Sequence, residues 1–489
     1  MKKYFKYIAL ICLTISVTSC KKGFLEESSQ DLVRPTTTAA LNQLMTGEAY
    51  QLSSTMHDYI ELLSDDVQSD YNSNAIVVAG LNKYSSVFTW RKDMLDRLIE
   101  NAASTPNAWY NYYAKIKGCN VVLDYVGQVS GNESEKQNLR GQALALRSFY
   151  YFMMVNLFGK PYLGTTVSPE TDLGVPLILT AEVTDAPIKR STVKEVYTQI
   201  VNDLNTAIPL LDTNGAGNSI YKLNGTAARL LLSRINLYMG NWDATIKNAT
   251  EVLQKKSTLK QYNEVLSSVL TYPVSSAITS PEVIWGYGFY AELGNMPFGA
   301  QSVTRASYSF SDNLSSSFES SDLRLKFTLL NIAYINGSSL VTYKGRSGKF
   351  VNTSASNSMA FRTAEAYLNR AEAYIQKAIA GDQSAVTKAL EDINYLRSFR
   401  IATASYAPIT ITDPQALYTF YKAERRRELC AEGHRWFDLR RWGMPSIQHS
   451  LQLTAGAPTI ETLQQNDNRY TLGIPTEALN RNPNLIQNP

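Results

Sequence analysis

Histidine is scarce in this sequence, with three among 489 residues. That leaves almost no material for a Ser–His–Asp triad or a histidine-rich zinc site. Neither Gly-x-Ser-x-Gly nor His-Glu-x-x-His occurs. The run Gly345-Arg346-Ser347-Gly348-Lys349 lacks the spacing of a phosphate loop, and Phe350 stands where the Ser or Thr would be. Cysteine is also rare, at four, with no metal-type spacing. Beyond the N-terminal segment no apolar run approaches the ~20 residues of a membrane-spanning helix. Excess charge of one sign is missing too, with 47 basic against 43 acidic residues. A nucleic-acid partner and a polybasic membrane patch are therefore not expected. No catalytic residue, metal or cofactor is assigned, and a glycosidase pair cannot be picked from 43 carboxylates without geometry.

The N-terminus is informative. Lys2, Lys3 and Lys6 precede a short apolar run, Tyr7 to Val17, which ends in Val17-Thr18-Ser19-Cys20. Small residues before a cysteine suit a lipoprotein signal peptidase, and the thiol accepts a diacylglycerol. Residues 1–19 are therefore expected to be a signal peptide, and Cys20 the lipidated start of the mature chain. Each buried CH₂ adds ~0.8 kcal/mol, so two or three acyl chains anchor firmly. Cleavage removes three lysines and no acid, which leaves 44 basic and 43 acidic residues. Cys12 leaves with the signal. Cys119 and Cys430 are expected as two buried thiols, with a disulfide as the alternative.

Residues 20–40 read as a lipidated tether. From Leu41 to Asp66 apolar residues recur at helical spacing. Three helix-pair blocks follow: Ala108–Val126 with Glu133–Phe158, Val193–Leu211 with Leu223–Leu253, and Phe361–Ala380 with Ser384–Arg397. The second contains LLLSRINLYMGNWDATIKNATEVL, a two-helix pattern of tetratricopeptide type. Ala364, Ala371 and Ala378 repeat every seven residues, which allows a second helix to approach closely. The fold expected is mainly α, with tetratricopeptide-like pairs (about 41–66, 107–256 and 361–443). They would pack against an irregular ligand-binding part with short strands (about 67–106, 257–360 and 444–489). Ile284–Tyr290 and Ser339–Gly345 read as short strands or loops.

Residues 424–443, ERRRELCAEGHRWFDLRRWG, concentrate charge. On a helix Glu424, Glu428, Glu432, Arg435, Asp438 and Trp442 fall near one face, and Arg435–Asp438 and Asp438–Arg441 lie three apart. Arg441 completes a cluster expected to clamp helices together by ion pairs, with Gly433 marking a break or a close contact. Loss of Asp438 or Arg435 is expected to lower stability rather than ligand affinity. His57, Asp58, Glu61, Asp65, Asp66 and Asp70 form an acidic stretch, expected to be a solvated helix end rather than a calcium site.

Several segments together resemble the SusD/RagB family of outer-membrane lipoproteins. They are the lipobox at Val17–Cys20, LFGKPYL and LGVPL (157–163 and 173–177), FRTAEAYLNRAEAY (361–374), the 424–443 motif, and the closing IPTEALNRNPNLIQNP. The resemblance implies helical pairs on one side and a loop-rich ligand region on the other. It also implies a surface-exposed, non-catalytic protein of the outer membrane that captures glycans for a SusC-like TonB-dependent transporter. The alternatives are a peptide-binding relative and, behind it, a surface glycoside hydrolase.

The chain has 30 Tyr, 16 Phe and 6 Trp. Flat rings cover the C–H face of a sugar while polar neighbours take its hydroxyls. One candidate platform is Tyr71, Tyr84, Phe88 and Trp90. The other is Trp285, Tyr287, Phe289 and Tyr290. Trp90, beside Arg91 and Lys92, is expected to be exposed, whereas Trp285, after Val283 and Ile284, reads equally well as packing.

Overall fold

The structure is a computed structural model that describes residues 34–51, 59–101, 107–182, 184, 186–215, 219–265, 279–288, 307–336, 339–347 and 359–489. The signal, Cys20, His57, Asp58, Phe289 and Tyr290 lie outside the described residues.

Helix α1 (Thr38–Leu44) runs into a π turn at 45–49. Helices α2 (Ala75–Phe88) and α3 (Met94–Asn101) precede the long pair α4 (Ala108–Tyr125) and α5 (Glu133–Phe158). Next come α6 (Val193–Asn214), α7 (Gly225–Met239) and α8 (Trp242–Lys255). Two short helices follow, α9 (Asp312–Ser316) and α10 (Leu323–Thr328). The chain then forms α11 (Thr363–Ile379), α12 (Ala385–Ser398), α13 (Pro414–Leu429), α14 (Arg435–Arg441) and α15 (Thr476–Arg481). Among the described residues, strands make four two-stranded antiparallel sheets: β1 (Val67–Ser69) with β3 (Tyr308–Phe310), β2 (Val283–Tyr287) with β6 (Met359–Arg362), β4 (Leu329–Asn336) with β5 (Ser339–Ser347), and β7 (Ile447–Leu451) with β8 (Thr459–Leu463). The fold is mainly α, as expected. No described helix is long and apolar enough to cross a membrane.

Helix α5 is the axis of the helical side. From Gly141 to Phe158 every residue is buried, which requires neighbours all round. Helices α4 and α6 supply two of them. Arg147 of α5 ties all three together. It grips Asp203 of α6 two-pronged at 2.8 and 2.9 Å and donates to the Asn120 Oδ1 of α4 at 2.9 Å. In the second block Gly240 takes φ 75° between α7 and α8, a left-handed C′ position that glycine adopts without strain. This block is three helices, because α6 is followed by two shorter ones. In α11 the heptad alanines Ala364, Ala371 and Ala378 are all buried. Arg234 joins α7 to Glu365 of α11 at 2.5 and 2.6 Å.

Four sequence expectations need correction. Residues 41–66 are not one helix: the chain turns at 45–49 and forms a single 3₁₀ turn at Ile60–Leu63 before β1. Residues 67–106 are not an irregular surface segment, since α2 buries Val77, Leu81, Tyr84, Val87 and Phe88. Phe361 belongs to a strand rather than to α11, because β6 pairs with β2 up to its last residue. Residues 444–470 include the β7–β8 hairpin, whose first strand alternates buried and exposed.

The C-terminal segment is stitched on by side-chain amides and one guanidinium. Arg190 donates to the carbonyls of Gly174, Phe158, Leu173 and Ile486 at 2.7 to 3.0 Å. Asn488 Nδ2 also donates to the Phe158 carbonyl, at 2.9 Å, and Asn482 Nδ2 reaches the Ile188 carbonyl at 2.8 Å. With no carboxylate beside it, burial lowers Arg190 to about 10.

Candidate functional site

The charged motif of 424–443 lies where the two sides of the molecule meet. Helix α13 ends at Leu429. Ala431 and Gly433 then take left-handed conformations (φ 62° and 74°), and α14 begins at Arg435. The single helical face expected for the cluster is therefore split in two. Glu424 lies 2.7 Å from Arg324 and from Arg427. Glu428 is ringed by Arg362, Arg400 and Arg324 at 2.6, 2.9 and 3.0 Å. Glu432 pairs with Arg362 at 2.7 Å. Asp438 receives Arg425 and Arg441, both at 2.8 Å, and Arg441 continues to Glu372 at 2.6 Å. The expected Arg435–Asp438 pair is not formed. Arg435 instead holds Asp65 at 2.7 and 2.8 Å.

Glu61, Asp65 and Asp66 of the acidic stretch are thus the other jaw of this clamp, not a solvated helix end. Glu61 is buried and accepts the Gly433 N–H at 2.7 Å, and Asp66 meets Arg426 at 2.6 Å. No cluster of metal-ligating side chains occurs among the described residues. Burial alone would raise the carboxyl of Glu372, but Arg441 and Arg425 bring it down to about 2. Burial opposes ionisation of Glu428 too, yet Arg400 and Arg362 hold it well below the usual carboxylate range. Carboxylates held this firmly in the ionised form are poor proton donors near neutral pH.

Of the two expected aromatic platforms, Tyr84, Phe88, Trp90 and Trp285 are packing, Tyr71 and Tyr287 are partly buried, and Phe289 and Tyr290 lie outside the described residues. Phe88 and Trp90 are fully buried and sandwich His449, with ring centroids 4.0 and 4.1 Å away. Trp90 is 2% exposed, contrary to expectation. Its indole N–H is spent on the Leu63 carbonyl at 2.9 Å, and its backbone is left-handed at φ 50°. Tyr84 is buried and Tyr71 packs against the core. Trp285 is fully buried and stacks on Tyr287 at 4.8 Å, with Phe149 and Phe361 edge-on. Cys119 and Cys430 are separate buried thiols, and burial pushes Cys119 up to about 12.

The structure does bring aromatics to the surface elsewhere. A groove of about 310 Å³ opens between the start of α4, the residues Pro176, Ile178 and Ile188, and the C-terminal segment. Asn107 caps α4 by accepting the Tyr110 N–H at 3.1 Å. Trp109 lies in the floor, edge-on to Phe158 and Tyr113. Tyr113 donates to the Pro176 carbonyl at 2.9 Å, and Tyr110 is 69% exposed. Glu477 and Arg481 stand on the rim as an exposed ion pair at 2.7 Å. None of these residues was singled out from sequence, although the signal was present. Trp109, Tyr110, Tyr112 and Tyr113 are four aromatics within five helical positions, so one had to face away from the core.

Paired helices around a buried axis, short sheets and an amphiphilic surface groove define a mainly helical scaffold. Two family profiles match the chain. One, described as starch-binding associating with outer membrane, matches residues 23–237, and the SusD family profile matches 330–489. The chain belongs to the SusD/RagB family. It is 23% identical to SusD-like protein P25 of Formosa agariphila, over 98% of this chain and 97% of that one. It is 25% identical to SusD-like protein P38 of the same organism, over 72% and 75%. A SusD-like carbohydrate binding protein of Bacteroides vulgatus superposes with a TM-score of 0.71, at 19% identity over 92% of this chain and 97% of that one. A putative sugar binding protein of the same species gives 0.70, at 24% identity over 94% and 99%.

Proposed function

We propose that this chain is a lipid-anchored receptor on the outer membrane that captures glycans and delivers them to a SusC-like TonB-dependent transporter. The observation that carries the reading is family membership along the chain, with matches at 23–237 and 330–489. The description of the first family and the sugar- and carbohydrate-binding names of the Bacteroides vulgatus neighbours support glycan as the ligand class. Cys20, after Val17-Thr18-Ser19, supplies the anchor. The 424–443 carboxylates are held by arginines, which suits a receptor rather than a hydrolase.

Two measurements test this. Cys20→Ser should move the protein from the outer-membrane fraction to the soluble one, and mass spectrometry of wild type should find an acylated N-terminal cysteine. Affinity purification of wild type from membranes should retrieve a TonB-dependent transporter. A soluble, unacylated wild-type protein would overturn the anchor. Binding of peptides and of no glycan would transfer the reading to peptide uptake.

A further inference from the structure

We infer that the groove at the start of α4 is a saccharide subsite for a neutral sugar, with Tyr110 as its stacking platform. The inference rests on the glycan-receptor reading and adds the place of contact and the charge class of the ligand.

Four observations carry it. Tyr110 is 69% exposed beside a concave floor, so its ring face is free to cover the C–H face of a pyranose. Trp109, in that floor, is only 8% exposed, yet its indole Nε1 makes no hydrogen bond among the described residues. Unlike the indole nitrogens of Trp285 and Trp436, which are buried without a hydrogen-bond partner, that of Trp109 reaches solvent, and Trp109 lines the groove. At Trp109 the donor is left for a ligand hydroxyl. Asn107 uses its Oδ1 for the helix cap and keeps its amide N–H groups at the rim. Glu477 and Arg481 neutralise each other at 2.7 Å while remaining largely exposed, so they offer an acceptor and donors without net charge. Donors, an acceptor and a flat apolar face around about 310 Å³ match a neutral sugar at a chain end or branch.

The floor is also rigid. Tyr113 is bonded to the Pro176 carbonyl, Trp109 is wedged against Phe158, and Asn482 ties the opposite wall to Ile188. A preformed site of this kind spends little affinity on ordering.

The test is calorimetric titration of the mature protein with malto-, cello-, laminari-, xylo- and mannohexaose, and with hexagalacturonate as the acidic comparison. At least one neutral hexaose should bind. Tyr110→Ala should weaken that binding at least tenfold with an unchanged melting temperature, because the side chain is exposed. Trp109→Phe keeps the ring and removes the N–H, and should weaken binding severalfold. If wild type binds a hexaose and Tyr110→Ala binds it equally, the groove is not the subsite, although the receptor reading stands. If hexagalacturonate binds best and depends on Tyr110, the neutral class is wrong. If wild type binds none of the six, the glycan reading fails and takes the subsite with it.

Discussion

The helical side and the loop-rich side are held together by the same chemistry used over different distances. On the helical side some pairs join helices that are close in sequence, although Arg234 and Glu365 are 131 residues apart. Arg147 and Asp203 are 56 residues apart, and Arg370 and Asp392 are 22 apart. On the other side the contacts span most of the chain. Asp65 and Arg435 are 370 residues apart, Ser69 and Ser450 are 381 apart, and His449 and Ser64 are 385 apart. Doubling a loop adds only ~0.6 kcal/mol of closure cost, so long spans are affordable once the flanking core exists. Contacts that span little sequence are expected to form first, so the loop-rich side is expected to close on the helical scaffold.

Substitutions at the junction should break this comparison most severely. Asp438→Ala leaves Arg425 and Arg441 without a shared carboxylate, and Glu428→Ala removes the carboxylate that Arg324, Arg362 and Arg400 share. Either change should cost about 3–5 kcal/mol by urea denaturation. If Asp438→Ala melts normally but loses ligand, the motif is a site rather than a clamp. Trp90→Ala comes next, at about 3–5 kcal/mol, because it empties one layer of the stack with Phe88 and His449. If the loop-rich side depends on the scaffold, this variant should keep its far-ultraviolet helical signal while its protease sensitivity rises around residues 60–100. A loss of both signals together would mean that the two sides fold as one unit.

Acid should act through the junction as well. The Glu372 carboxyl is depressed to about 2 in the folded chain. Its contribution is therefore complete above its unfolded value of about 4.5 and disappears as pH falls through about 2. The loss should be on the order of 3 kcal/mol, and Glu372→Gln should flatten the pH dependence of the urea midpoint over that window. The smallest change sharpens the comparison from the helical side. Thr192→Ala removes the capping box with Glu195 at the start of α6 and should cost about 1 kcal/mol. Hydrogen exchange should show this effect in α6 and its neighbours alone.

The same contrast explains what was legible in the sequence. Helices α4, α5, α11 and α12 follow from apolar spacing, because their partners lie a loop away and their periods are undisturbed. The strands at 283–287 and 339–347 follow from β-branched and aromatic runs. Helix α2 was missed although Val77, Leu81 and Tyr84 keep helical spacing, because its polar flanks and aromatics read as surface. The clamp was legible as a clamp but its partners were not. No local rule links Arg435 to Asp65 across 370 residues when Asp438 is three positions away. The aromatic platforms failed for a related reason: charged neighbours in sequence say little about burial when a distant His449 fills the space between Phe88 and Trp90.

Arg190 and Asn488 both donate to the Phe158 carbonyl at the end of the first long helix pair. One backbone oxygen thus collects donors from points 32 and 330 residues further along the chain, so Asn488→Ala would loosen the tail while Arg190 keeps the end of α5 capped.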